Sequence, residues 1–105
     1  MTAPVHAITR LNIAVVKTNP LGLATTVEGE VGTPGWSGFA LDHRIYIVPP
    51  PDGIYEADMV GVPPGGGVAD VVTPFFYDET WAPFPADLKG LKVYSATNDL
   101  IVALE

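Results

Sequence analysis

Polar and apolar residues alternate with a period of two along much of this chain. From Val5 to Lys17, Val5, Ala7, Leu11, Ile13 and Val15 share one parity with Thr9, while His6, Arg10 and Asn12 share the other with Ile8. Successive strand side chains point to opposite faces, so this segment predicts a strand with one buried side. Leu23 to Val31 repeats the pattern more cleanly. Leu23, Thr25, Val27, Gly29 and Val31 face one way, and Ala24, Thr26, Glu28 and Glu30 face water. The turn residues Asn19-Pro20-Leu21-Gly22 between them predict a hairpin. A third strand is predicted over Phe39–Val48, with Phe39, Leu41, His43, Ile45 and Ile47 on one face and Asp42, Arg44 and Tyr46 on the other. A fourth runs from Gly53 to Val62, where Tyr55, Ala57 and Met59 oppose Glu56 and Asp58.

The second half is more broken. Val68–Val72 reads as a short apolar strand ended by Thr73-Pro74. Phe75 to Asp87 is aromatic and acidic, is interrupted by Pro83 and Pro85, and reads mostly as loop, with Phe75-Phe76-Tyr77 adding at most to a strand. Leu88-Lys89-Gly90 suggests one helical turn. Leu91–Ser95 and Leu100–Leu104 predict a closing hairpin around Thr97-Asn98-Asp99. Proline and glycine punctuate the middle of the chain at Thr33-Pro34-Gly35, Pro49-Pro50-Pro51-Asp52-Gly53 and Val62-Pro63-Pro64-Gly65-Gly66-Gly67. Proline is excluded from helix interiors and central ladders, and glycine makes tight turns, so short strands joined by stiff turns remain.

About seven short strands with turns every ten residues or so predict an all-β fold. The expected architecture is a single immunoglobulin-like β-sandwich over residues 1–105, with a small β-barrel as the alternative. Asp52-Gly53-Ile54-Tyr55 is similar to the Gly-x-Tyr corner of such sandwiches, in which a tyrosine hydroxyl ties a strand to the preceding loop. A turn followed by an amphipathic tyrosine is the simpler account of those residues.

Composition adds a second expectation. Hydrophobic residues make up 48% of the chain and charged residues 16%, against about 25% charged in an average domain. A small domain has much surface to cover, so part of the apolar surplus must stay exposed or be buried against another chain. A homo-oligomer is expected. The net charge of −7 and the lack of any Lys/Arg cluster oppose nucleic-acid binding and electrostatic docking to membranes. No cysteine is present, which removes disulfides, thiolate catalysis and cysteine-held metals. The N-terminus has no basic and apolar leader pattern, and no apolar run approaches the ~20 residues of a membrane helix. A cytoplasmic location is the default expectation unless a leader was removed.

Three stretches carry a family likeness: Val27-Glu28-Gly29-Glu30-Val31-Gly32-Thr33-Pro34-Gly35-Trp36, Pro50-Pro51-Asp52-Gly53-Ile54-Tyr55, and Lys89-Gly90-Leu91-Lys92-Val93-Tyr94-Ser95-Ala96-Thr97-Asn98. In them the chain resembles a family of short bacterial proteins of uncharacterised function. The resemblance implies a stand-alone unit and brings no activity, ligand or site residues.

Motifs for chemistry are sparse. Gly65-Gly66-Gly67 follows a predicted strand, but no Gly-Lys-Ser/Thr follows it, and Asp70 stands where a dinucleotide fingerprint needs its third glycine. Gly35-Trp36-Ser37-Gly38 is one residue short of a nucleophile elbow. His43 lies between Leu41 and Ile45 on the apolar parity. That position fits a core histidine bonded to a backbone carbonyl, or a pH-sensitive group at an edge or interface. The adjacent Asp42 points to the opposite face and cannot orient it. Glu56 and Asp58, two apart on one strand, share a face. They fit a solvated surface, or a carboxylate pair for glycoside or calcium chemistry. Trp36, Tyr46, Phe75, Phe76, Trp81 and Phe84 are many rings for so short a chain.

The first expectation is therefore a non-enzymatic structural or interaction domain that self-associates around Phe75, Phe76, Trp81 and Phe84. The alternative is a small carbohydrate- or ligand-binding module using Trp36, Tyr46 and Trp81, with Glu56 or Asp58 as hydrogen-bond acceptors. An enzyme would need Glu56 with Asp58, or His43 with a carboxylate, to converge in a pocket. No cofactor or metal is called for by any of these residues.

Overall fold

A computed structural model describes residues 1–67 and 69–104. Eight strands form among the described residues, with no helix: β1 (Ala3–Pro4), β2 (Ala7–Val16), β3 (Gly22–Val31), β4 (Ser37–His43), β5 (Ile54–Val62), β6 (Thr73–Trp81), β7 (Gly90–Tyr94) and β8 (Asp99–Ala103). They make two sheets. One is antiparallel in the order β2-β3-β6. The other has β5 at its centre, flanked by β4 on one side and by β1 and β7 on the other, with β8 beyond β7. The β5–β7 pair is parallel and the remaining pairs are antiparallel. The chain enters in one sheet as β1, turns at the fully buried Val5, and continues in the other as β2.

The two predicted hairpins form, β2 with β3 and β7 with β8. Alternation in β3 is followed strictly, with Leu23, Thr25 and Val27 fully buried. In β2 it is not. A register shift between Ile8 and Arg10 is a bulge at Thr9, which switches the parity so that Ile8 and Leu11 both face the core. Single-parity reading of that strand therefore misplaced Ile8; Val15, which keeps the parity of Leu11, is exposed near the end of β2.

Four other expectations are corrected. The third strand stops at His43 rather than Val48. Arg44 N–H still bonds to the Glu56 carbonyl at 3.0 Å, but Pro49-Pro50-Pro51 has no N–H to continue the ladder. The strand expected over Val68–Val72 does not form over Ala69–Val72, and Val68 lies outside the described residues. Phe75–Asp87 is not mostly loop, since its first seven residues belong to the nine-residue β6. Pro74 is accommodated because β6 is an edge strand, and Pro83 and Pro85 fall beyond its end. Leu88-Lys89-Gly90 makes no helical turn; Leu88 N–H closes a turn onto Pro85 and Gly90 opens β7.

Both sheets contribute to one core, which includes Ile8, Leu23, Val27, Tyr55, Met59, Leu91 and Val93. No backbone ladder joins the sheets, so the barrel alternative is overturned. Side chains and isolated backbone bonds, such as Ala96 N–H to the Val5 carbonyl at 2.8 Å, close the two seams instead. At one, the Asn98 amide pairs with both backbone groups of Ile8, accepting from its N–H at 2.9 Å and donating to its carbonyl at 2.8 Å. In effect Asn98 substitutes for a ladder residue beside the bulge. The other seam lies between the edge strands β4 and β6.

Candidate functional site

The β4–β6 seam gathers most of the chemistry in the molecule. Inward alternation along β6 delivers Phe75, Tyr77, Glu79 and Trp81, and inward alternation along β4 delivers Phe39, Leu41 and His43. Phe39 and Phe75 stack at 4.7 Å and 8°. Farther along, the His43 ring lies 4.1 Å from the Trp81 ring, and His43 Nε2 is 2.6 Å from Glu79 Oε2. An ionised carboxylate can only accept, so this contact assigns the proton to Nε2. Tyr77 donates its hydroxyl to Glu79 Oε1 at 3.0 Å. Both oxygens of Glu79 are thus engaged, one from each sheet.

Burial by itself pushes the Glu79 carboxyl up, because desolvation penalises the charged form. The bonds from His43 and Tyr77, with the charge interaction of His43, outweigh it, and the group is held below its ordinary range. Tyr77 moves the opposite way: burial first, then Glu79, keep its phenol protonated and donating. Two buried polar side-chain atoms among the described residues have no hydrogen-bond partner, and both belong to residues that adjoin Glu79. One is His43 Nδ1. The other is Thr25 Oγ1, whose residue stands opposite Glu79 in the β3–β6 register.

A second aromatic layer extends the cluster. Tyr55 meets Trp81 and Tyr46 edge-on, at 6.3 and 5.2 Å. Its hydroxyl donates to Asp87 Oδ1 at 2.8 Å. Burial first, then this bond, raises the Tyr55 phenol above its usual value. The bond goes forward to the β6–β7 connection rather than back to the preceding loop, so the Gly-x-Tyr likeness does not extend to a tyrosine corner.

Glu56 and Asp58 lie on the outer face of the five-stranded sheet, away from the cluster. Arg44 holds both: Nε and Nη2 donate to Asp58 at 3.2 and 3.1 Å, and Nη1 donates to Glu56 at 2.9 Å. The guanidinium also lies 4.3 Å over the Tyr94 ring, and Tyr94 donates to the other Glu56 oxygen at 2.9 Å. The bond to Asp58 and the charges of both acids raise the Arg44 pKa further above its already high value. A carboxylate pair locked to one arginine is a clamp across β4 and β5, not an acid–base couple. Because Asp42 faces Asp58 across the ladder, Arg44 also relieves a like-charge pair. The three side chains remain substantially exposed, so Arg44→Ala should cost only about 0.5–1 kcal/mol at physiological salt and more at low salt. Urea midpoints at two ionic strengths measure this. An equal loss at both would show that packing on Tyr94, not charge, holds the clamp.

The aromatic candidates separate. Trp36 precedes β4 and donates Nε1–H to Thr33 Oγ1 at 3.2 Å. With Pro63, Pro64, Gly65–Gly67 and Asp70 it lines a shallow groove of ≈ 340 Å³. Trp81 lies against His43, at the far end of β4 and roughly 20 Å of strand away. Trp36 and Trp81 therefore do not share a site, and Tyr46 belongs to the Trp81 end. Phe75 is buried, and Trp81 and Phe84 pack against the core. Of the four rings proposed to make an interface, only Phe76 is mostly exposed, at 62%.

The largest exposed aliphatic groups lie elsewhere, in the β4–β5 connection. Ile45, Ile47 and Val48 are 96%, 100% and 74% exposed. Glu79, one of the neighbouring acids Asp78 and Glu79 in a segment expected to be mostly loop, was not among the residues singled out for a site. The signal was present: Phe75, Tyr77, Glu79 and Trp81 alternate with Phe76, Asp78 and Thr80, so a carboxylate stands on an otherwise aromatic face.

No serine lies next to the His43–Glu79 pair among the described residues; the hydroxyls there are that of Tyr77, donated to Glu79, and that of Thr25, opposite Glu79 in the β3–β6 register. Ser37 opens β4, at its other end, and Ser95 is bonded to Asn98. No group of three or more metal-binding side chains is gathered among the described residues, and no helix there is long and apolar enough to cross a membrane. Comparison with protein-family models, with curated proteins and with solved structures gave no match.

Proposed function

We propose that this chain is a non-enzymatic interaction domain that assembles with copies of itself. The observation that carries the reading is the exposure of Ile45, Ile47 and Val48 in a protein whose candidate carboxylates Glu56, Asp58 and Glu79 are bound to neighbouring side chains. Three large aliphatic side chains held in water have no structural use in a lone subunit, and such patches mark association surfaces. The paired acids support the same reading. Glu79 is shared by His43 and Tyr77, and Glu56 and Asp58 are shared by Arg44, so these side chains hold strands together.

The two-sheet arrangement fits the immunoglobulin-like description in two respects. A central strand, β3, pairs with β2 and β6, and the first strand passes from one sheet to the other. Domains of that shape commonly serve as adhesive or assembly units, which agrees with the proposal by analogy of fold alone. A glycan-binding module draws less support, because Trp36 and Trp81 lie at opposite ends of β4.

Sedimentation velocity over a concentration series tests the proposal. A mass that rises with concentration is expected. A single sharp monomer boundary at the highest soluble concentration would remove self-association as the function.

A further inference from the structure

From Ile45 to Pro51 the chain carries no charge: Ile45-Tyr46-Ile47-Val48-Pro49-Pro50-Pro51. This segment is tethered at alternate residues. Arg44 is clamped by Glu56 and Asp58. Tyr46 packs edge-on against Tyr55, and its hydroxyl accepts from Glu56 N–H at 3.0 Å. Between the tethers, Ile45 and Ile47 stand out into water. Ile45 has the parity of Leu41 and His43, which face the other sheet, but it lies beyond Trp81, where β6 ends. β4 itself ends at His43, so Ile45 and Ile47 lie in the connection that follows it, outside both sheets, and are left uncovered.

We infer that this strip is the contact between two copies of the chain, docked strip against strip about a twofold axis. The inference rests on the self-association reading and names its surface. Charge selects this surface. Each copy carries −7, so most faces repel their equivalents. Ile45–Pro51 is uncharged, and the acids at its base are already paired with Arg44. Area agrees with a weak dimer. The chain exposes 6169 Å², several hundred Å² more than the ~5,700 Å² typical of a monomer of this mass. Two such strips together would bury roughly 1,000 Å², the lower bound for a specific interface. Shape agrees as well. A twofold axis makes one apolar strip complementary to itself. Beside it runs a groove of ≈ 390 Å³ lined by Tyr46, Val48, Pro50 and Ile54, with Asp52 and the Arg44-paired Glu56 also on its lining, into which Ile47 of the other copy can enter.

The test is sedimentation equilibrium of the full chain at about 0.02 M and about 0.5 M salt. A dimer that tightens with salt is expected, because screening weakens repulsion between two acidic copies while the apolar contact persists. The double variant Ile45→Ser, Ile47→Ser should raise the dissociation constant by about tenfold or more and, at a dilution where the parent is also monomeric, leave the unfolding midpoint unchanged, since both side chains are exposed in the monomer. Phe76→Ser, on the outer face of the three-stranded sheet, should dimerise like the parent. A dimer lost in Phe76→Ser, or retained in the double variant, overturns the strip while self-association stands. A parent chain that is monomeric at both salt concentrations overturns both. Flotation of a monomer with phosphatidylcholine vesicles, abolished in the double variant, would assign the strip to a membrane and likewise overturn the dimer.

Discussion

Gly29→Ala is expected to destabilise the fold by about 3 kcal/mol or more, a fall of roughly 10–20 °C in melting temperature for a chain of this size. Gly29 is on the inward face of β3, paired with Ile8 on one side and Phe75 on the other. The Phe75 ring lies down over it and stacks on Phe39 across the seam. An added Cβ would meet that ring at 2.7 Å and would run into the Ala7 carbonyl oxygen. The ring could tilt only by breaking its stack, and the carbonyl belongs to the ladder next to the bulge at Thr9. Both sheets would therefore register the change. Gly65→Ala is the control: nothing lies within 4 Å of its Cβ, and its effect should stay within about 0.5 kcal/mol. Thermal unfolding of the two variants checks the contrast. Equal, small shifts would mean that the Phe39–Phe75 stack does not hold the seam closed.

Glu79→Ala should cost about 2 kcal/mol, because it leaves His43 Nε2–H and the Tyr77 hydroxyl without their acceptor in a mostly buried place. The pH dependence of the parent follows from the same group. The folded carboxyl titrates below its ordinary 4.5. A depressed carboxyl contributes stability that is complete above the unfolded value and is lost as pH falls through the folded one. Destabilisation from Glu79 should therefore begin below about pH 4.5 and be complete under the folded pKa. Glu79→Gln keeps the shape and cannot titrate. Its deficit against the parent at pH 7 should shrink as the pH is taken toward 3. Urea midpoints for both proteins across that range measure it, and a constant deficit would show that the charge on Glu79 is not what joins the sheets. Trp81 gives a local readout, because its indole lies against His43. Its fluorescence should change in Glu79→Gln before any global unfolding.

These two predictions concern the same seam, and they bear on the proposed role. The β4–β5 connection grows directly out of β4 at His43. A loosened seam would free that strand end and the strip that follows it. Mutations at Gly29 or Glu79 should therefore weaken self-association indirectly, together with stability. Ile45 and Ile47 substitutions should weaken it alone.

The local alternation of this sequence determined that the fold is all-β, where β3, β5, β7 and β8 run, and that Tyr55, Ala57 and Met59 face inward opposite Glu56 and Asp58. Period-two burial is written residue by residue, and β3 and β5 obey it without interruption. It also showed correctly that Asp42 does not orient His43. Other features depended on residues far apart in the chain. The bulge at Thr9 is invisible in one strand, since a bulge is a mismatch between two. β6 was obscured by Pro74, which an edge strand tolerates and a central strand does not, and edge position is a property of the assembled sheet. The partnership of His43 with Glu79 spans 36 residues and exists only because two edge strands from different sheets meet. The fates of the apolar residues were settled at the same level: Phe75 and Trp81 found cover across the seam, while Ile45 and Ile47, with the same pattern in sequence, fall in the connection after β4 ends and found none.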